Sequence, residues 1–235
     1  MSGYTWFLTG ASRGIGLETT RQLLQSPWHT VFASCRSPST ATDLAALSSS
    51  GPGTLHIVQL DVTNEESIKS GAAEVLRLLN GRGLDYVINN AAVNLAPDTA
   101  FTFSPEHLTD SIVSNVTGPA LVSRYLLPAI ERSNRKVIVN MTSTLASISR
   151  NCGPKSTSYS ISKTALNMLT YKQARERPDF IPLLVDPGWV KTKMGGNGAI
   201  LEPHVSVKGI LNVVTSATLD HAGKFYNYQG KEIPW

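Results

Sequence analysis

Tyr159 and Lys163 stand four residues apart in Tyr159-Ser160-Ile161-Ser162-Lys163. On a helix that spacing puts both side chains on one face. A free phenol titrates at about 10 and exchanges protons poorly at neutral pH, whereas an ammonium beside it favours the phenolate and lowers that value. The pair is therefore suited to give a proton to an oxygen or take one back. Tyr-x-x-x-Lys alone is a common pattern that is usually a surface pair. Its weight comes from Ser143 in Asn140-Met141-Thr142-Ser143, a hydroxyl just past an apolar run and placed to hold a carbonyl oxygen.

A second cluster opens the chain: Thr9-Gly10-Ala11-Ser12-Arg13-Gly14-Ile15-Gly16. Gly10 permits a tight turn, Gly14 lets backbone approach a pyrophosphate, and Gly16 lets a helix pack close to a strand. The amides from Ser12 to Ile15 then open a helix whose N–H groups face an anion. The spacing is Gly-x-x-x-Gly-x-Gly, not the Gly-x-Gly-x-x-Gly of the general dinucleotide fingerprint. An NAD site carries an acid about 20 residues further on. Here that stretch reads Ala33-Ser34-Cys35-Arg36, with no carboxylate. Arg36, with Arg13 from the other side, suits a 2′-phosphate dianion, because a guanidinium is planar and permanently charged. NADP(H) is the expected cofactor.

These residues need a scaffold that brings them to one edge. Apolar, β-branched runs recur at Tyr4 to Leu8, Thr30 to Ser34, Leu55 to Leu60, Tyr86 to Asn89, Lys136 to Met141, Ile181 to Asp186 and Lys224 to Asn227. Between them lie helical patterns, among them Ile68, Ala72, Val75, Leu76 and Leu79, with Asn64 or Thr63 as cap and Glu65-Glu66 in the first turn. Alternating strands and helices predict an α/β fold: one doubly wound Rossmann-type domain over residues 1–235, with a seven-stranded parallel sheet and helices on both faces. Substrate loops are expected at about 94–104, 145–155 and 189–204, past strand ends, where open sheets bind ligands. Pro119 falls inside the helical pattern around Asn115 and should kink it or free a carbonyl.

Composition narrows the function class. The chain has 235 residues, 41% hydrophobic and 16% charged, with net charge +4 and two cysteines, Cys35 and Cys152. Aliphatic runs are far short of the roughly 20 residues a membrane span needs. Met1 to Gly10 carries neither a basic segment nor a signal-like apolar core. The basic residues form no run, so no nucleic-acid partner is expected. The distant cysteines favour a reducing, cytoplasmic setting. His29, His56, His107, His204 and His221 have no companion ligands, and no metal site is expected. Trp189 and Met194 are candidate substrate contacts, with Cys152 also facing the pocket, while Phe101 and Phe103 read as packing under loops. Gly195-Gly196-Asn197-Gly198 reads as the flexible part of a lid.

Taken in order, these motifs resemble the short-chain dehydrogenase/reductase family. The matching residues are Thr9 to Gly16, Asp61-Val62, Asn89-Asn90-Ala91, Asn115, Ser143, Tyr159 with Lys163, and Pro187-Gly188 with Thr192. Cys35-Arg36, Gly188 to Gly196 and the ending Gly223 to Trp235 resemble its C-factor/sniffer-like carbonyl reductases. The resemblance implies that Tyr159 is the general acid in reduction, that Lys163 holds the nicotinamide ribose, and that Ser143 orients the substrate carbonyl. It implies that Asn115 positions a water linking Lys163 to solvent. Asp61 and Val62 would bracket the adenine, Asn89 and Ala91 would line the ribose side, and Val190 and Thr192 would bind the carboxamide beside Pro187-Gly188. Ala92 stands where the family usually has Gly, and Arg150 to Pro154 widen the gap from Ser143 to Tyr159. The expected activity is NADPH-dependent reduction of a ketone, aldehyde or quinone-like carbonyl. The alternatives are a biosynthetic reductase acting on a polyketide-like or imine substrate, and a non-catalytic NADP(H)-sensing regulator. Family members form homodimers or homotetramers; Leu121, Tyr125, Leu166 and Leu169 would be shared in such an assembly or face the monomer core.

Overall fold

A computed structural model describes residues 3–235, so Met1 and Ser2 of the N-terminal stretch lie outside the described residues. The chain runs β1 (Thr5–Leu8), α1 (Gly14–Leu23), β2 (Thr30–Cys35), α2 (Thr42–Ala46), β3 (Thr54–Gln59), α3 (Glu65–Leu79), β4 (Tyr86–Asn89), α4 (Pro105–Ile112), α5 (Gly118–Glu131), β5 (Val137–Met141), α6 (Thr157–Glu176), β6 (Ile181–Asp186), α7 (Pro203–Thr215) and β7 (Phe225–Asn227). The strands form one parallel sheet in the order β3-β2-β1-β4-β5-β6-β7. The order reverses between β1 and β4, which opens a crevice past their carboxyl ends.

The period-two pattern of the strands sorts the core into two layers. Trp6, Leu8, Val31, Ala33, Tyr86, Ile88, Val137, Val139, Leu183 and Val185 point to one face, where they meet Leu23 and Leu24 at the end of α1, Leu44 of α2 and Ile210 and Val214 of α7. Phe7, Phe32, Val87 and Ile138 point to the other, against Ile68, Val75 and Leu79 of α3 and Val122, Leu126 and Ile130 of α5. Leu166 of α6 continues that second layer with Leu184 and Phe225. Burial of each such side chain contributes about 1.5–3 kcal/mol. Asn64 caps α3 by accepting from the Ser67 amide at 2.9 Å, with Glu65 and Glu66 in the first turn, as the sequence predicts.

Two sequence readings are refined here. The helix expected around Asn115 is interrupted: α4 and α5 are joined by a π-helical turn over Val113–Thr117. Pro119 has no N–H to give the carbonyl of Asn115 one turn back, so the chain widens its winding there. Of the two alternatives for Leu121, Tyr125, Leu166 and Leu169, all four take part in packing within the monomer. Leu166 is fully buried, Leu121 and Tyr125 pack on the second layer, and Leu169 packs beside Leu166. Among the described residues, no helix is long and apolar enough to cross a membrane.

Candidate active site

The glycine turn sits where β1 and β4 part. Gly10 has φ +69° and Gly14 φ +57°, a backbone conformation that L side chains rarely adopt. A Cβ on Gly10 would lie 2.9 Å from the Ala91 Cα, so the turn needs glycine to pass the end of β4. A Cβ on Gly16 would lie 2.2 Å from the Gly10 carbonyl oxygen, which is the close helix–strand contact expected of it. Around Gly14 the nearest obstacle is only the Thr192 methyl, at 3.3 Å. Its left-handed backbone therefore answers to the path of the turn more than to crowding, and that path presents the start of α1 to an anion. Thr9 holds the turn to the neighbouring strand: its hydroxyl accepts from the amides of Asn90 and Ala91, both at 3.0 Å.

Arg13 and Arg36 flank this turn, one at the start of α1 and one at the end of β2. Both are exposed, and neither guanidinium has an ion-pair partner among the described residues. Asp61 lies past β3 with its carboxylate accepting from the Thr63 amide at 2.9 Å and hydroxyl at 2.7 Å. Val62 beside it leans on the second core layer.

Asn89 departs from its expected place. It is buried, and its amide donates to Asn140 Oδ1 at 2.8 Å, inside the layer between the sheet and α5. A β-strand turns successive side chains to opposite faces, so any nucleotide contact of Asn89 runs through its backbone. Its neighbour Asn90, which the sequence reading left without a role, reaches the glycine turn and donates to the carbonyls of Thr9 at 2.9 Å and Gly10 at 3.2 Å. Ala92 keeps a negative φ, so an alanine there strains nothing.

Helix α6 is docked on the end of β5 by buried polar pairs. Thr142 donates to Asn167 Oδ1 at 2.7 Å, Asn140 donates to the Thr170 hydroxyl at 2.8 Å, and Lys163 Nζ donates to the Met141 carbonyl at 2.7 Å. The N-terminus of α6 has no cap of its own, because Ser156 is left-handed and makes no side-chain cap bond. Asp98 supplies one from the loop at 94–104, accepting from the Ser158 amide at 3.2 Å and from its hydroxyl. The helix is thereby pinned at both ends of its first turns.

Tyr159 and Lys163 share one face of α6, with the ammonium 5.7 Å from the centre of the phenol ring. Lys163 is buried, and the lost hydration lowers it to about 7. Burial raises the Tyr159 phenol, the Asp186 carboxylate raises it further, and the Ser143 hydroxyl pulls against both. These raising effects outweigh the lowering expected from Lys163. A lysine brought to about 7 is only partly charged at neutral pH, which weakens its pull toward a phenolate. Ser143 caps the short turn Thr144–Ala146, accepting from the Leu145 amide at 3.2 Å, and lies just past β5 beside the phenol.

Asn115 is fully buried, and its amide is spent on protein: it accepts from the Val93 amide at 2.8 Å and donates to the Val93 carbonyl and the Ser162 hydroxyl, each at 2.9 Å. Its side chain is thus a clamp on the loop after β4. The water expected of Asn115 would have to meet its backbone carbonyl, the one Pro119 leaves without its usual donor.

The segment after Gly188 passes the glycine turn, where a Cβ on Gly14 would lie 3.3 Å from the Thr192 methyl. The Thr192 hydroxyl accepts from the Gly195 amide at 3.1 Å, and Trp189 Nε1 donates to the Gly195 carbonyl at 2.8 Å. Val190 is buried and can reach a ligand only by its backbone. Trp189 and Met194 are exposed beside Pro187 and Gly188; Phe101 is fully exposed, which overturns its reading as packing, whereas Phe103 keeps most of its surface covered. Cys152 lines a cleft of about 960 Å³ with Phe101, Leu145, Arg150, Ile161 and Met168. That cleft lies on the α6 face opposite Tyr159 and Lys163, since Ile161 and Met168 are turned away from those two on the helix.

A family model described as short chain dehydrogenase matches residues 5–199. The short-chain dehydrogenase/reductase atnB of an Arthrinium species is 33% identical over 262 residues, spanning 96% of this chain and 97% of its own. An NADPH-bound carbonyl reductase from chicken fatty liver is similar in structure, with TM-score 0.94, 33% identity and 100% of both chains covered. The carbonyl reductase Sniffer of D. melanogaster gives TM-score 0.93 at 27% identity, over 98% of this chain and 99% of that one.

Proposed function

The chain belongs to the short-chain dehydrogenase/reductase family, and from that premise we propose that it reduces a small-molecule ketone, aldehyde or quinone-like carbonyl with NADPH. The observation that carries the reading is the meeting of Tyr159, Lys163 and Ser143 at the sheet edge that also holds the glycine turn. NADPH supplies the hydride when bound. The residues present fit it: Gly10 to Gly16 cradle an anion, and Arg13 and Arg36 offer two unpaired guanidiniums for a 2′-phosphate. Asp61 and the backbone past β4 lie on the adenosine side, and Pro187, Gly188, Val190 and Thr192 on the nicotinamide side.

Ser143 would donate to the substrate oxygen and hold it near the phenol, and Tyr159 would deliver the proton as negative charge builds there. Burial leaves the phenol protonated at neutral pH but a weaker acid than a free one, so delivery of its proton depends on the charge that builds on the substrate oxygen. Lys163, near 7, would bind ribose hydroxyls and, in its protonated form, return a proton to the Tyr159 phenolate after the phenol has given its own to the substrate oxygen. Exposed Trp189 and Met194 border the open side and favour an apolar substrate body.

The test is oxidation of NADPH, followed optically, against a panel of ketones, aldehydes and quinones. Turnover that drops by about 10³-fold or more in Tyr159→Phe, with NADPH binding retained, supports the reading. Tight NADPH binding with no turnover on any carbonyl would instead make the chain a dinucleotide sensor.

A further inference from the structure

Asp186 is the last residue of β6, buried, and assigned no part in the reading above. Its two carboxylate oxygens accept from different walls of the site. One takes the Thr144 hydroxyl, next to Ser143, and the other takes the Gly188 amide at 2.9 Å. No lysine, arginine or histidine forms an ion pair with it among the described residues. A buried carboxylate without a cation is costly to keep. Thr144 and Gly188 offset part of that cost, and the charge itself remains uncompensated beside Tyr159.

We propose that Asp186 is a positioning residue that biases this site toward reduction, tying the Ser143 turn to the Gly188 turn and supplying one negative charge on the nicotinamide side. The inference rests on the proposed function, which places the nicotinamide beside Pro187 and Gly188. Reduction of a carbonyl turns a neutral nicotinamide into a cation, and a fixed anion nearby favours the cationic form. The same charge opposes the phenolate that Tyr159 becomes on giving up its proton, so the bias rests on the nicotinamide side. The expected signature is an oxidised dinucleotide held better than a reduced one.

Binding of NADP+ and of NADPH, each measured separately by quenching of tryptophan fluorescence, tests this without turnover. Asp186→Asn should weaken NADP+ by about tenfold while changing NADPH less than about twofold. Thr144→Val breaks the tie but leaves the charge, and should keep the wild-type ratio of the two affinities. A ratio unchanged in Asp186→Asn, or one that shifts equally in Thr144→Val, overturns the electrostatic role. Asp186→Ser, smaller and also neutral, repeats the measurement if the asparagine variant does not fold. Wild-type protein that binds neither dinucleotide would sink the proposed function itself, an outcome distinct from either of these.

Discussion

Asn115 grips the backbone of Val93 on both sides, accepting from its amide at 2.8 Å and donating to its carbonyl at 2.9 Å. The side chain thereby does for the loop after β4 what a strand neighbour would do, and it does so from inside a π-helical turn. Removing it leaves the two Val93 backbone groups without their partner, while the Ser162 hydroxyl keeps its bond to the Tyr159 carbonyl. Each unsatisfied buried group costs about 1–3 kcal/mol. Asn115→Ala should therefore destabilise the fold by about 2–4 kcal/mol and lower the melting temperature by about 5–10 °C. A melting curve superimposable on that of the parent protein would show that the clamp carries no load.

Gly14 and Gly16 differ in what an added methyl would meet, and the difference separates folding from binding. At Gly16 the methyl runs into the Gly10 carbonyl oxygen at 2.2 Å. Gly16→Ala should force α1 off the sheet and cost about 1–3 kcal/mol or more. At Gly14 the only obstacle is a Thr192 methyl at 3.3 Å, and the strain of φ +57° costs about 1–2 kcal/mol. Gly14→Ala should stay folded and weaken dinucleotide binding more than stability. Calorimetry and ligand titration on the two variants give opposite rankings if this is right.

Much of this arrangement was legible in the residues themselves. Strand alternation, the glycine turn and the Tyr159–Lys163 spacing are local patterns, so their placement on one doubly wound sheet could be read directly. Less legible was everything set by partners distant in sequence. Asn89 and Asn90 are identical in type, yet the pleat sends Asn89 into the core toward Asn140 and Asn90 to the glycine turn. Asp98 caps a helix about sixty residues away, a pairing that no spacing encodes. Phe101 looked like core by its type and is exposed, because the loop at 94–104 turns it outward. The balance on Tyr159 is likewise set by groups distant in sequence, since burial and Asp186 raise the phenol against the Ser143 hydroxyl.

Lys163 makes stability depend on pH. Burial lowers it from 10.5 in the reference state to about 7 in the fold. Between those values the unfolded chain holds a proton that the folded chain lacks, so stability rises with pH across that window. Below about 7 both states are protonated and the full burial penalty applies. Lys163→Met has no such slope. Its stability advantage over the parent should be largest near pH 6 and shrink toward pH 10, by at most about 1.4 kcal/mol per pH unit. Denaturant midpoints for both proteins at several pH values check this, and parallel curves would contradict it.

Arg36 ends β2 with an unpaired guanidinium, at the position where an NAD site carries an acid. With no carboxylate competing for it, its planar fork is free for a 2′-phosphate, a charge-assisted contact of about 1.5–3 kcal/mol. Arg36→Asp removes that contact and adds repulsion toward the phosphate, while offering an acceptor to a free ribose hydroxyl. The ratio of kcat/KM for NADPH to that for NADH should fall by about 10–100-fold. Arg13→Ala, which only deletes the second cation, should shift the ratio the same way but less. Because Arg36 is exposed and its guanidinium makes no bond among the described residues, neither folding nor the rate with saturating NADH should suffer. A ratio that stays constant in Arg36→Asp would mean that the 2′-phosphate is recognised elsewhere.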